Sequence, residues 1–472
     1  MRALAVIMVL LPLAASAATI TVNTTADSTT AGDGQCTLRE AIANVNAAAD
    51  TTGGDCSAGT ALGDTIIFVA SSNIGLTHGQ LEIQRDVTVI APPGSLRIAG
   101  AHRTRVFEIA AGTTQMSGVT IKQGTADHGG AVALDSGAIL DLTNCTLSGN
   151  SAFGSNQFPN GPGGALWNTG TVILTNCTVY GNYGDECGGI FNAGTVTLTD
   201  CTVSRNVAGH TGGGGIFNLG AVILTNSTVT LNRALYDGGG IAIAIGGTLT
   251  LTNSTVSGNR TIWGVGAGIY NGGTATFANS TISGNYTILG GGGGGIFSGG
   301  TATLSNCTIS GNRGGGGIVN NGPAILTNCT ISGNHAKSGG GGGIFNPATT
   351  TVTNTIVANN TSRLGKKVNC GAGGITGGHN LDSDGTCFAS GGTDLVNTNP
   401  QLALLRNNGG LAATLALCTA PGVPGRACTA ASPAIDAGDD AVAGLPDNLT
   451  TDQRGQPRLS GAHVDIGAYE VQ

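Results

Sequence analysis

Charge and aromatic rings are what this sequence has least of. Charged residues fill 10% of its 472 positions and aromatic residues 4%. Lys and Arg total 19 against 26 Asp and Glu, a net charge of −7. No basic tract is present to grip nucleic acid, and little cation is available for an anionic membrane surface. Proline is scarce at 13, and no strict G-X-Y period runs through the 83 glycines, which excludes collagen. Long apolar runs are missing as well. Ala3 to Leu13 is too short to span a bilayer. With Arg2 before it and Ala15-Ser16-Ala17 after it, it reads as an export signal over residues 1–17, cut before Ala18. No later stretch suits a transmembrane helix. Hydrophobic residues still reach 40%, enough to bury a core and to exclude wholesale disorder.

What is present is a repeat. Aligned on L-T-N-C/S-T-I/V, its polar residue falls at Asn144, Asn176, Asp200, Asn226, Asn253, Asn279, Asn306, Asn328 and Asn354. The steps average about 26 residues, a solenoid period. A second element, G-G-I-F-N, recurs in phase, with its aliphatic residue at Leu166, Ile190, Ile216, Ile241, Ile269, Ile296, Ile318 and Ile344. Runs such as Val196-Thr197-Leu198-Thr199 alternate with period two. Parity breaks at the Asn or Asp, because Leu198 and Val203 cannot both point inward along one straight strand. A left-handed bend at Asp200 repairs this. Cys201 and Val203 then face inward, Thr202 faces out, and a Gly-Asn pair such as Gly258-Asn259 opens a loop.

Short strands joined by bends at this period make a parallel β-helix, one repeat per coil. About thirteen coils at ~4.8 Å would form a rod of roughly 60 Å. Equivalent residues stack, and the bend asparagines are expected to bond along the stack, which also explains their N-x-S/T sequons. Cys145, Cys177, Cys201, Cys307 and Cys329 share one inward position and read as buried free thiols. Cys36 and Cys56, Cys370 and Cys387, and Cys418 and Cys428 lie outside the repeat as close neighbours. They read as disulfides clipping the two ends, although spacing alone fixes no connectivity. Cys187 is left over.

A β-helix exposes a sheet edge at each end. The one clear helix signal starts at Thr37, with Glu40 at capping-box spacing and Leu38, Ala41, Ile42 and Val45 on one stripe. It reads as a lid on the first coil. The last hundred residues carry fewer repeats and more charge, and read as the other cap. The organisation expected is a signal at 1–17, an N-terminal cap at 18–64, the β-helix at 65–369 and a C-terminal cap at 370–472.

Both ends carry familiar motifs. Cys36-Thr37-Leu38-Arg39-Glu40-Ala41 resembles the CSLREA motif of exported bacterial β-helix proteins, with Thr37 for the usual Ser. Asn407-Asn408-Gly409-Gly410, Ser432-Pro433-Ala434-Ile435-Asp436-Ala437-Gly438, Asp452-Gln453-Arg454-Gly455 and Asp465-Ile466-Gly467-Ala468-Tyr469-Glu470 resemble the choice-of-anchor Q domain. The resemblance implies an all-β, right-handed parallel β-helix of the pectin-lyase-like superfamily, exported to the cell surface or medium. It implies no activity. Gly129-Gly130-Ala131-Val132 and Gly163-Gly164-Ala165-Leu166 are similar to repeats of polymorphic outer-membrane proteins, which are adhesins. The chain ends at Gln472 without a membrane barrel, sorting motif or hydrophobic tail, unlike adhesins that carry their own anchor.

Polysaccharide lyases and glycosidases share that superfamily and need clustered carboxylates, often with Ca2+, beside Arg, Lys or His. Between residues 140 and 340 acidic and basic side chains are few, and no polygalacturonase-like, H-E-x-x-H, G-x-S-x-G or Walker set appears. Asp185 and Glu186, adjacent in one loop, are the fallback catalytic pair; a solvated loop is the plainer reading. Asp382-Ser383-Asp384-Gly385 resembles the start of a Ca2+ loop without its downstream Glu. A turn closed by Cys370–Cys387 is preferred, with Ca2+ at Asp382 and Asp384 as the alternative and no other cofactor expected. Two columns run in phase with the repeat. Tyr183, Val207, Arg233, Arg260, Tyr286, Arg313 and His335 stand seven residues after the bend and open loops of variable length. Such loops are often a solenoid's binding face, and stacked Arg, Tyr and His suit a polymer. The second column is Trp167, Phe191, Phe217, Tyr270, Phe297 and Phe345, interrupted at Ala242 and Val319. If the adjacent Ile points inward, these rings face out and can stack on sugars; with parity reversed they are core. The expected protein is an exported adhesion, glycan-binding or scaffold protein. Its partner would be an extracellular polysaccharide or a cell-surface glycan or protein. The competing reading is a polysaccharide lyase or glycoside hydrolase.

Overall fold

A computed structural model describes residues 16–69, 72–92, 94–155, 161–337, 340–363, 366–371, 375–390, 392–444 and 448–472. Residues 1–15, which hold most of the expected export signal, lie outside the described residues. The chain winds into an all-β parallel solenoid of about 26 residues per turn, in which every named strand pair is parallel and joins one coil to the next.

One coil shows how the sequence does this. Thr195–Thr199 lies in the first sheet, Thr202–Ser204 in the second, Val207–Ala208 in the third and Ile216–Asn218 in the fourth. These sheets hold 14, 14, nine and 12 strands. Asp200 makes the first corner with φ +55°, and all eight equivalent asparagines are left-handed too, between +48° and +55°. Asn and Asp tolerate that backbone because their side chains bond locally. The expected inward pattern follows: Val196, Leu198, Cys201, Val203 and Ile216 are buried, and Thr202 is half-exposed.

Three internal ladders hold the corners. At the first corner the small inward side chain accepts the backbone N–H of the preceding coil, as Cys177 Sγ does from Cys145 (3.3 Å) and Ser227 Oγ from Cys201 (3.0 Å). The repeated cysteines are therefore free, buried and structural, as is Cys187. The second ladder corrects the expectation that Gly-Asn opens a loop. Asn150, Asn182, Asn206, Asn232, Asn259, Asn285, Asn312, Asn334 and Asn360 are fully buried and chained to one another, so the strand resumes after them as the third sheet. The bend asparagines bond one another only from Asn176 to Asn144 (2.6 Å) and from Asn306 to Asn279 (3.1 Å) among the described residues. The third ladder is the terminal Asn of G-G-I-F-N, as from Asn168 to Asn192 (2.7 Å).

At the N-terminal end a helix lies against the first coil. Helix Leu38–Ala47 has a complete Thr37–Glu40 capping box and buries Leu38, Ala41, Ile42 and Val45. Arg39 pairs with Asp27 (2.7 Å) and donates to the carbonyls of Gly79 and Gln80 in the first coil. Disulfides join Cys36 to Cys56, Cys370 to Cys387, and Cys418 to Cys428. Strands continue past residue 369, through Leu395–Val396. The chain beyond them runs back along the outside of the second sheet. Gln453 Nε2 donates to Thr281 (2.8 Å), Thr308 donates to Gln453 Oε1 (2.5 Å), and Ala468 N–H donates to Thr330 (3.0 Å). Those three threonines are buried, whereas Thr178, Thr202, Thr228 and Thr255 at the same position are half-exposed. Arg458 is fully buried there, donating to Asn306 Oδ1 (2.6 Å), with Glu470 3.7 Å away.

Candidate functional site

The fourth sheet answers the parity question. The Ile of each G-G-I-F-N points into the core, and its neighbour points out. The outward column reads, rung by rung, Glu82, Glu108, Ala133, Trp167, Phe191, Phe217, Ala242, Tyr270, Phe297, Val319 and Phe345. Its rings are half-exposed, except Phe191 at 8%. Neighbouring rings stack face to face: Phe191 on Phe217 at 5.5 Å and 8° between planes, Tyr270 on Phe297 at 5.7 Å and 3°. Edge-on contact with His128 (4.7 Å) closes the column at Trp167.

The third sheet carries the other expected column. Tyr183, Val207, Arg233, Arg260, Tyr286, Arg313 and His335 pair in register on consecutive rungs. They form a two-residue strand before the loop, where the sequence reading placed the loop opening itself. Arg233, Arg260 and Arg313 are exposed, and no carboxylate pairs with them among the described residues. Lys337 joins them, donating to the Tyr286 hydroxyl (2.9 Å) and lying 4.7 Å from its ring centroid. That contact lowers the phenol's proton affinity. His335 meets Thr361 Oγ1 at 2.9 Å.

The loops between these sheets shape a cleft of about 660 Å3 lined by His210, Phe217, Tyr236, Asp237, Ala242 and Tyr270 among others. Asp237 accepts from Val265 N–H (2.8 Å), and burial raises its proton affinity above that of an ordinary carboxylate. Burial and the nearby Asp237 also raise Tyr270. A second cleft, of about 450 Å3, lies over Phe297, Val319 and Phe345.

The fallback pair Asp185 and Glu186 directly follows the strand Tyr183–Gly184 of the third sheet. Asp185 is tied down: its carboxylate accepts from the Tyr183 hydroxyl (3.0 Å) and Gly154 N–H (2.9 Å), with His210 at 3.5 Å. Glu186 is half-buried, and burial raises its proton affinity. Calcium at Asp382 and Asp384 does not fit the donor set. Asp382 accepts from Asn369 Nδ2 (2.7 Å) and Cys387 N–H (2.7 Å), and Asp384 from Asn369 N–H (2.8 Å) and Thr386. Those hydrogen bonds engage all four carboxylate oxygens, and no third acidic or histidine ligand completes a metal-binding group beside them among the described residues.

One cluster escaped the sequence reading. At the N-terminal end of the aromatic column, buried Arg105 joins Glu108 and lies 3.6 Å from Asp127, which pairs with His128 (2.6 Å). Burial raises Glu108 in spite of Arg105. The signal was the register that stacks Glu82 and Glu108 beneath Trp167, which sequence spacing does not display before residue 140.

The family model for the right handed beta helix region matches residues 97–282 and 239–408. The crystal structure of pectate lyase Pel9A is similar over 97% of both chains, at 13% identity and a TM-score of 0.37. No curated protein matches the chain.

Proposed function

From the premise that this chain belongs to the right-handed beta helix family, we propose that it is an exported, non-enzymatic surface protein whose loop-bearing flank binds an extracellular glycan. The observation that carries this reading is the pairing of Arg233 with Arg260 on neighbouring rungs. Two exposed arginines on strands about 4.8 Å apart carry like charges that repel each other, and no carboxylate relieves them among the described residues. An anionic substituent lying across both offsets that cost, and bidentate pairing suits carboxylate or sulfate. Arg313, Lys337 and His335 continue the strip, and the aromatic column runs beside it. Export is supported by the three disulfides, which persist in oxidising compartments, and by the terminal motifs.

A polysaccharide-cleaving enzyme is the second reading. The observation favouring it is Glu108, raised by burial and set with Asp127 and His128 around Arg105. The experiment that separates the two incubates the mature protein with acidic and neutral polysaccharides, with and without Ca2+, and measures binding and product together. Retention without product, weakened at least tenfold in the Arg233→Ala, Arg260→Ala, Arg313→Ala triple variant, supports binding. Unsaturated uronates or new reducing ends, lost in Glu108→Gln, would overturn the non-enzymatic reading.

A further inference from the structure

The aromatic column is closed at some rungs and open at others. Rings on neighbouring rungs stack on each other, as Tyr270 does on Phe297 at 5.7 Å. Two rungs carry a small side chain between two rings: Ala242 between Phe217 and Tyr270, and Val319 between Phe297 and Phe345. Two rung steps separate such rings by about 9.6 Å, twice the rung spacing. One further ring fits in that space, and a cleft lies at each interruption, of about 660 and 450 Å3. Both volumes suit a small-ligand subsite.

We propose that these two clefts are subsites for neutral sugar residues of one glycan chain, each residue held between two aromatic faces. This rests on the glycan-binding reading and names the part of the ligand that the arginine strip does not take. Charge selects the occupant. No Lys or Arg lines either cleft. The first presents the Asp237 carboxylate, whose one hydrogen bond among the described residues comes from Val265, so its other oxygen is left to accept from a sugar hydroxyl. A uronate there would meet that carboxylate as a like charge. The hydroxyls of Tyr236 and Tyr270 and the His210 ring add polar groups at the rim of an otherwise apolar slot. Ala242 and Val319 lie three rungs apart, about 14 Å, so a single chain along the column can enter both.

The glycine loop packs against the Ala242 rung as closely as it does against the Phe217 rung. A Cβ on Gly238 would come 2.6 Å from Ala242 Cβ, and a Cβ on Gly213 would come 2.7 Å from Phe217 Cβ. The loop over Ala242 is thus the same kind of loop that already accommodates a phenyl ring.

The test uses the whole mature chain and calorimetric titration with neutral hexasaccharides of gluco, manno, galacto and xylo configuration. Ala242→Phe and Val319→Phe fill the slots, and Phe217→Ala removes a wall. Circular dichroism establishes that each variant is folded. The proposal expects each to weaken binding of a hexasaccharide at least tenfold, and the double filling variant to abolish it. Tyr180→Ala, an exposed ring on the second sheet outside both columns, should leave neutral binding within twofold. If the protein binds glycans and the filling variants bind as well as the parent, the slots are not subsites, while the glycan reading stands. If the parent binds no neutral or acidic glycan, both readings fall. If the slots take free indole and no sugar, the ligand class is wrong.

Discussion

Asn259 Oδ1 accepts two hydrogen bonds from Asn232, one from its backbone N–H (2.9 Å) and one from its side-chain amide (3.0 Å). Asn259 in turn donates its own amide to the carbonyl of Val229 (2.9 Å). One side chain therefore satisfies groups of the preceding coil that no water reaches, since both asparagines are fully buried.

Asn259→Ala leaves two donors of Asn232 without partners, while the Val229 carbonyl keeps its bond within the sheet. Each buried unsatisfied group costs about 1–3 kcal/mol, so a loss of at least ~2 kcal/mol is expected. Asn226→Ala, at a half-exposed bend, should cost less than half as much through its left-handed backbone alone. Urea denaturation of both variants checks this, and equal losses would contradict the ladder's role.

The thiol column makes a second expectation. None of the six free cysteines should react with a thiol reagent in the native protein, and all six should react once it is unfolded. Cys201→Ser should be tolerated within about 1 kcal/mol, because Ser227, Ser254 and Ser280 do the same work one coil apart. Cys201→Val keeps the bulk but removes the acceptor of the Cys177 N–H, and should cost ~1–3 kcal/mol. A valine variant as stable as the serine variant would argue for packing alone.

Acidity should tighten the docked C-terminal stretch. Burial, followed by repulsion from Asp465, pushes Glu470 up to about 8, and burial, followed by repulsion from Asp436, pushes Asp465 up to about 6. Both folded values lie above the unfolded ones, so the folded form binds these protons more tightly. Their contribution is complete below about pH 4 and is lost as pH rises through 6 to 8. Between pH 5 and 8.5 the loss should reach at least ~1.4 kcal/mol, a tenfold change in equilibrium. Hydrogen exchange at Gln453 and Ala468 reads it locally. Glu470→Gln should flatten the profile; an unchanged slope would assign it elsewhere.

Much of the coil was legible because each Asn or Asp bend is a break in parity that the residues display. The interrupted aromatic column was legible too, although its facing was not, since Ile and Phe are both apolar and only the buried partner decides. Asn259 was misread because a polar residue after glycine has the composition of a loop, and a two-residue strand such as Arg260-Thr261 is too short to show a period. Thr281, Thr308 and Thr330 look like every other outward threonine in the repeat. Nothing local marks them as the seat of Gln453 and Ala468, more than a hundred residues away in the chain. The Arg105 cluster was hidden for a related reason, since register across coils sets it.

The seating of Gln453 and Ala468 on Thr281, Thr308 and Thr330 also sets an order of events. Coils of a solenoid need only their neighbours, so those up to Thr255 can stack as the chain emerges N-terminus first. The three that follow wait for residues more than 130 positions downstream before their outer face is dry. Closing so long a loop is slow. The finished rod is thus locked from its late end, and a chain whose C-terminal stretch has not docked would have its early coils formed and these three still wet on one side.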